Sequence, residues 1–158
     1  MKHLPKHLQP RWRYLAVAIE TWPDADIDRR AFQRGVWYAT QNLLGDSTSA
    51  ETDMTVLRFH HGDGVGHAVV RVRRGHTDEA RAALACLDAV DGHPVGLRVT
   101  GTSGTVRACE EKYIRGPAKS PAQRHVVFEN TDRTATTRGR RVDVRTDEGF
   151  VGAADLDI

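Results

Sequence analysis

Two hydrophobic periods alternate along residues 13–114, and a chain that switches between them in this order has few folds open to it. Arg13–Glu20 (RYLAVAIE) alternates and is β-prone, which predicts a first strand. The loop at Trp22–Asp26 follows, and Asp26 or Asp28 is suited to cap a helix. From Ile27 to Leu44, Phe32, Val36, Ala39 and Leu43 recur at helical spacing as one apolar stripe, and Gly45 closes that helix. Asp46–Asp53 reads as a polar loop. Met54–His60 and His67–Arg73 are the next two strands, joined through a flexible hairpin loop at His61–Gly66. Thr77 is positioned to cap a second helix, with Asp78 and Glu79 where the helix dipole favours acids. Its stripe is Ala80, Ala83, Leu84, Leu87 and Val90. Pro94–Thr100 is the fourth strand, and Ser103 or Thr105 caps a short helix that reaches about Ile114.

The order βαββαβ followed by a helix predicts an α+β fold, a ferredoxin-like, RRM-like sandwich with an extra C-terminal helix. This defines one α/β domain over residues 1–114. After Tyr113 the composition changes. Arg115–Pro121 reads as a linker, and Thr131–Arg141 is a polar, Thr- and Arg-rich stretch. Residues 115–158 are therefore expected to form a disordered extension with at most a transient strand at His125–Phe128.

A chain of 158 residues with a hydrophobic fraction of 39% can bury a core without staples. No apolar run approaches the roughly 20 residues of a membrane span, and the basic start lacks a signal-peptide core, so a cytoplasmic protein is expected. Cys86 and Cys109 form no CxxC and read as small buried side chains rather than a disulfide or zinc site. The net charge of +2 is modest, yet Lys2, Lys6, Arg11 and Arg13 gather in the first fourteen residues without an acid. Lysine otherwise stands only at Lys112 and Lys119, so arginine is the main cation, and its planar fork suits phosphate contacts. A GC-rich coding bias would produce the same preference.

Strand parity divides the side chains between two faces. Leu15, Val17, Ile19, Leu57, Phe59, Val70, Val72, Val95, Leu97 and Val99 fit a helix-packed core. Tyr14, Arg58, His60, Arg71, Arg73, Arg98 and Thr100 fall on the other face. Guanidinium groups beside an aromatic ring suit an RNA surface, although a solvated antiparallel face would carry the same pattern. The His67–Arg73 strand has no aromatic residue, so reading of single bases is not expected, and backbone and shape recognition fits better.

Catalytic motifs are scarce. His60, His61, Asp63 and His67 are the only metal-like grouping, and their spacing matches no strong metal motif. There is no P-loop, GxSxG or HExxH. Ser103–Thr105 opens a helix whose free N–H groups attract anions, and a simple helix cap explains it equally well. Glu110 and Glu111 are adjacent and point apart, so they make no acid/base pair.

Two segments carry a resemblance to a known family: Leu4–Tyr14 (LPKHLQPRWRY) and the stretch from Ser103 to Ile114 (SGTVRACEEKYI), with Trp37 as a weaker match. Over about residues 4–114 the chain resembles the archaeal ribonuclease P protein component 2 family, relatives of a small eukaryotic subunit. The resemblance implies a non-catalytic protein subunit of ribonuclease P, the endonuclease that removes the 5′ leader from precursor tRNA. The RNA subunit would perform the hydrolysis with Mg²⁺, no cofactor being bound by this chain. Ribonuclease P RNA, protein component 3 and precursor tRNA are the implied partners, with self-association left open. By position the resemblance assigns RNA contact to Arg11, Arg13, Arg107 and Lys112, beside Arg58, Arg71, Arg73 and Arg98 from parity. Trp37 and Tyr38 are candidates for partner contact, with core packing the alternative for Trp37. Two other functional classes stay open: a ferredoxin-like regulatory module that binds a ligand or a protein, and a free-standing metal nuclease using the His60–His67 loop.

Overall fold

The computed structural model describes Pro5, residues 11–114 and residues 121–153. Apart from Pro5, the expectations for the first ten residues, the 115–120 linker and residues 154–158 lie outside the described residues. The first sheet combines β1 (Trp12–Thr21), β2 (Thr55–Gly62), β3 (Val65–Arg73), β4 (Ala89–Val90) and β5 (His93–Ser103) in the order β2-β3-β1-β5-β4. Every pairing is antiparallel. With α1 (Arg29–Thr52), α2 (Thr77–Cys86) and α3 (Val106–Tyr113), this is the expected ferredoxin-like arrangement, extended by the two-residue β4.

The core forms where strand parity meets the helix stripes. Leu15, Val17, Ile19, Val70 and Val72 pack against Phe32, Val36, Ala80, Ala83 and Leu84, all at most 2% exposed. At roughly 25 cal/mol per Å² of apolar surface buried, this layer is the main drive for folding. The second strand departs from simple alternation. A bulge between Val56 and Arg58 makes Val56 the core residue and leaves Leu57 half-buried outside the core cluster, while Phe59 returns to the core side. An extra residue in one strand shifts parity by one, which sequence alternation alone cannot register.

Four further expectations are corrected. Asp28 caps α1 by accepting from the Ala31 N–H at 2.7 Å, but the helix does not finish at Gly45. Gly45 leaves helical geometry at φ 78°, and the chain then resumes helix to Thr52, where Asp53 caps it in the left-handed region. The expected polar loop is therefore a second helical segment, and Leu43, just before the break, is 44% exposed rather than core. The hairpin after β2 is tight: Gly62 pairs with Val65, and Asp63 and Gly64 both take positive φ, the two-residue turn whose twist matches the strands. At α2 the N-cap is His76, with its ring nitrogen 3.1 Å from Glu79, while Thr77 is already helical. Cys86 is exposed, unlike the buried Cys109.

The largest correction concerns the extension. Residues 122–153, expected to be disordered, form a four-stranded antiparallel meander: β6 (Ala122–Phe128), β7 (Thr131–Arg138), β8 (Arg141–Thr146) and β9 (Gly149–Ala153). Its reversals use Glu129 and Asn130, Gly139 and Gly149, all at positive φ. Val126, Ala135, Val142 and Val144 make a small core of their own. Threonine supplies much of β7, and β-branched side chains favour strands even when polar.

This second sheet docks on the loop after β1. The Phe150 ring lies 4.1 Å from the buried Trp22 ring, and Arg145 meets Asp24 at 3.0 Å and lies over Trp22. Arg138, its side chain 6% exposed, donates to the Gly64 carbonyl at 3.1 Å, to the Thr21 carbonyl and to Asp143 at 3.0 Å. Such a charge-assisted set, satisfied on several sides, holds the β2–β3 turn, the end of β1 and the second sheet together.

Candidate nucleic-acid interface

The face of the first sheet turned away from α1 and α2 carries the basic residues. Pairing sets Trp12 opposite Arg73, Tyr14 opposite Arg71 and Ser103, Ala18 opposite His67 and Arg98, and His60 opposite His67. Arg58, Arg71, Arg73 and Arg98 therefore share this face, as parity predicts. Trp12 is the functional candidate that sequence reasoning missed. The Arg71 guanidinium stands 4.0 Å from the centre of its ring and that of Arg73 5.4 Å. Stacking on an aromatic face holds a guanidinium flat, and Arg73 also meets Asp53 at 3.7 Å. The signal was present in Arg11-Trp12-Arg13, since Trp12 has the parity of Tyr14.

The remaining sequence candidates are more dispersed. Arg11 is exposed at the entrance to β1, where its carbonyl accepts from Arg74 N–H at 2.9 Å. Arg13 pairs with Val72 and so falls on the helix side of the sheet, turned toward Gly104. Arg107 is 89% exposed and pairs with Glu111 along α3 at 2.9 Å, and Lys112 is exposed in its last turn.

Helix α3 crosses the basic face and divides it. Thr105, not Ser103, caps this helix, accepting from Ala108 N–H at 3.1 Å. Cys109 plugs into the sheet beside Ala16 and Val69, fully buried, and that burial, reinforced by Glu110, pushes its thiol up to about 11. Tyr113 lies over Gly101 so closely that a Cβ there would come within 2.1 Å of the ring. Tyr14 is accordingly half-buried under α3 rather than open. Glu110 meets Arg58 at 3.3 Å, and beside this pair Arg58, His60, His67 and Ile114 line a cavity of about 200 Å³.

The histidines do not converge. His60 and His67 face each other on the outer side, ring centres 5.0 Å apart, whereas His61 points to the helix side and bonds Thr21 Oγ1 at 2.8 Å. Burial first, and His60 second, lower the His67 pKa. Burial also lowers that of His61, opposed by Asp26 and aided by His93. Among the described residues no three His, Cys, Asp or Glu side chains come together to hold a metal ion. Trp37 and Tyr38 are 51% and 65% exposed, so Trp37 is not a core residue. Its indole donates to the Met54 carbonyl at 2.9 Å. With Arg34, Gln41 and Asp53 these rings border a groove of about 590 Å³ along the broken helix.

Comparison with known proteins gives this arrangement its context. Residues 13–114, both helical layers and the whole first sheet from Arg13 onward, match the Rpp14/Pop5 family. The chain belongs to the Rpp14/Pop5 family. It is similar to "Ribonuclease P protein component 2" of Haloarcula marismortui, 70% identical over 100% of this chain and 99% of that one. The protein of the same name from Natronomonas pharaonis is 62% identical over 100% of this chain and 98% of its own. Among solved structures, a chain of yeast ribonuclease MRP covers 63% of this chain and 79% of its own, at 18% identity and a TM-score of 0.46. Within the Rpp14/Pop5 family this chain takes the place of a non-catalytic protein subunit of the ribonuclease P endoribonuclease, in tRNA processing. The second sheet lies outside the family match, while the haloarchaeal relatives align through it. No helix among the described residues is long and apolar enough to cross a membrane.

Proposed function

We propose that this subunit binds and braces the RNA of ribonuclease P in the cytoplasm, together with protein component 3, so that the RNA removes the 5′ leader from precursor tRNA. The observation that carries this reading is the outer sheet face, which carries Arg58, Arg71, Arg73 and Arg98, with Arg71 and Arg73 set over the Trp12 ring. Each phosphate neutralised by such a group releases condensed counterions, which drives binding to a structured RNA without reading its bases. Arg11, Arg13, Arg107 and Lys112 extend the contact around the sheet end and along α3. Mg²⁺ belongs to the RNA in this reading, because phosphodiester hydrolysis needs metals held by positioned oxygens. Component 3 would sit on the groove bordered by Trp37 and Tyr38, since exposed aromatic rings with a polar edge suit a protein interface.

Binding of the cognate ribonuclease P RNA, titrated against salt, tests the reading. Removing Arg71 and Arg73 together, or Arg107 and Lys112 together, should flatten the slope of log K against log salt by about one to two units. Slopes identical to that of the unmodified protein, with folding intact, would remove those residues from the interface.

A further inference from the structure

The second sheet meets the first on the same face that carries the basic residues. At the seam, Ala18, Glu20, Gly96, Leu97 and Arg98 of β1 and β5 and Arg141 of β8 enclose a small cavity of about 150 Å³. Ala18 and Gly96 are the small residues of its lining, and the Glu20 carboxylate lies 3.9 Å from where a Cβ on Gly96 would stand. Arg98 is exposed and rises on one side, while Arg141 leans in from the second sheet, paired with Glu20 yet still 58% exposed. Arg98, Arg141 and one carboxylate, Glu20, thus line the same opening, with Arg141 paired to Glu20. Arg138, the other cation near Glu20 at 3.9 Å, is committed to Asp143 and to backbone carbonyls. One positive charge remains uncompensated at an opening with room for a few waters, at about 30 Å³ each, or one phosphate group.

We propose that this seam is a seat for one RNA backbone phosphate, formed jointly by Arg98 and Arg141, so that the C-terminal sheet extends the RNA-binding face. The proposal rests on the RNA-bracing reading above and adds a contact outside the family-matched region. Planar guanidinium forks approaching from two sides can each bond a phosphate oxygen pair. Glu20 serves as an internal stand-in for that phosphate: it holds Arg141 over the cavity in the free protein and yields part of its partner when the anion enters. A carboxylate already on the cation lowers affinity for an incoming anion, so removing its charge has a predictable sign.

The test measures affinity of the full chain for cognate ribonuclease P RNA over a range of salt, with inorganic phosphate as a second probe. Arg141→Ala should flatten the salt slope by about one unit, and Arg141→Lys should restore most of it. Glu20→Gln should raise affinity several-fold, a gain that a misfolded variant could not produce. Weakening by Arg141→Ala together with a gain from Glu20→Gln supports the seat. RNA affinity unchanged by both substitutions overturns it, while the slope loss at Arg71 and Arg73 would show the wider reading still standing. An unmodified protein with no salt-dependent affinity overturns both. Protection of Arg141 by millimolar inorganic phosphate alone, without an effect on RNA binding, overturns the RNA assignment in favour of a free-anion site.

Discussion

Tyr113 lies so close over Gly101 that no side chain fits between them, which pins α3 to the sheet. Gly101→Ala should therefore destabilise the protein by about 1–3 kcal/mol, the usual cost of overpacking. It should also open Cys109 to thiol reagents. In a Cys86→Ser background, labelling of the buried, high-pKa Cys109 is expected to be slow, and faster after Gly101→Ala; equal rates would mean that Tyr113 does not hold α3 down. His61 and His67 make stability depend on pH. Both are held below the ordinary 6.5, chiefly by burial, so the unfolded chain takes up protons near that value while the folded chain resists until lower pH. Between those two values the unfolded state binds more protons, and stability falls as pH drops below about 6.5. Urea midpoints should be lower at pH 5.5 than at pH 7.5. Replacing both residues with asparagine should remove part of that difference, and an unaltered pH dependence would contradict this assignment.

At the level of elements, long periodic segments were readable, and the failures have physical causes. Helix α1 resumes beyond Gly45 through a Ser/Thr/Asp-rich stretch of weak helix propensity, where Thr52 donates to the Thr48 carbonyl at 2.7 Å and Asp53 supplies the left-handed stop. The C-terminal sheet was hidden by its polarity. Its strands carry few apolar residues, and its anchorage comes from Arg138, Arg145 and Phe150 meeting residues more than a hundred positions earlier. The alternation in Arg141-Val142-Asp143-Val144-Arg145 and the turn at Glu129–Asn130 were the available signals. Phe150→Ala removes the ring packed tilted against Trp22 and should cost about 1–3 kcal/mol of docking. Hydrogen exchange should then accelerate across β6–β9 while β1 and β3 stay protected. Unchanged protection in β6–β9 would mean that the sheet is held by other contacts. Thr105→Ala should cost about 1 kcal/mol through the lost α3 cap, read as a lowered midpoint.

The whole molecule is a helix-backed sheet whose open face is basic, divided by α3 and lengthened by a second sheet. Its topology was legible because the order of periods allows few alternatives, and the family membership followed from segments at the two ends of that order. The docking of the C-terminal sheet was not legible, since it depends on contacts between distant surfaces rather than on any repeat. On the reading proposed above, the subunit acts by holding RNA in shape rather than by attacking a phosphodiester itself. Cleavage of precursor tRNA by cognate ribonuclease P RNA at limiting Mg²⁺, with component 3 present and this protein added or omitted, tests that claim most directly. The account predicts strong stimulation only when the protein is added, reduced when Arg71 and Arg73 are both replaced by alanine. Cleavage by the protein without RNA, or no stimulation by folded protein of an active RNA, would contradict it.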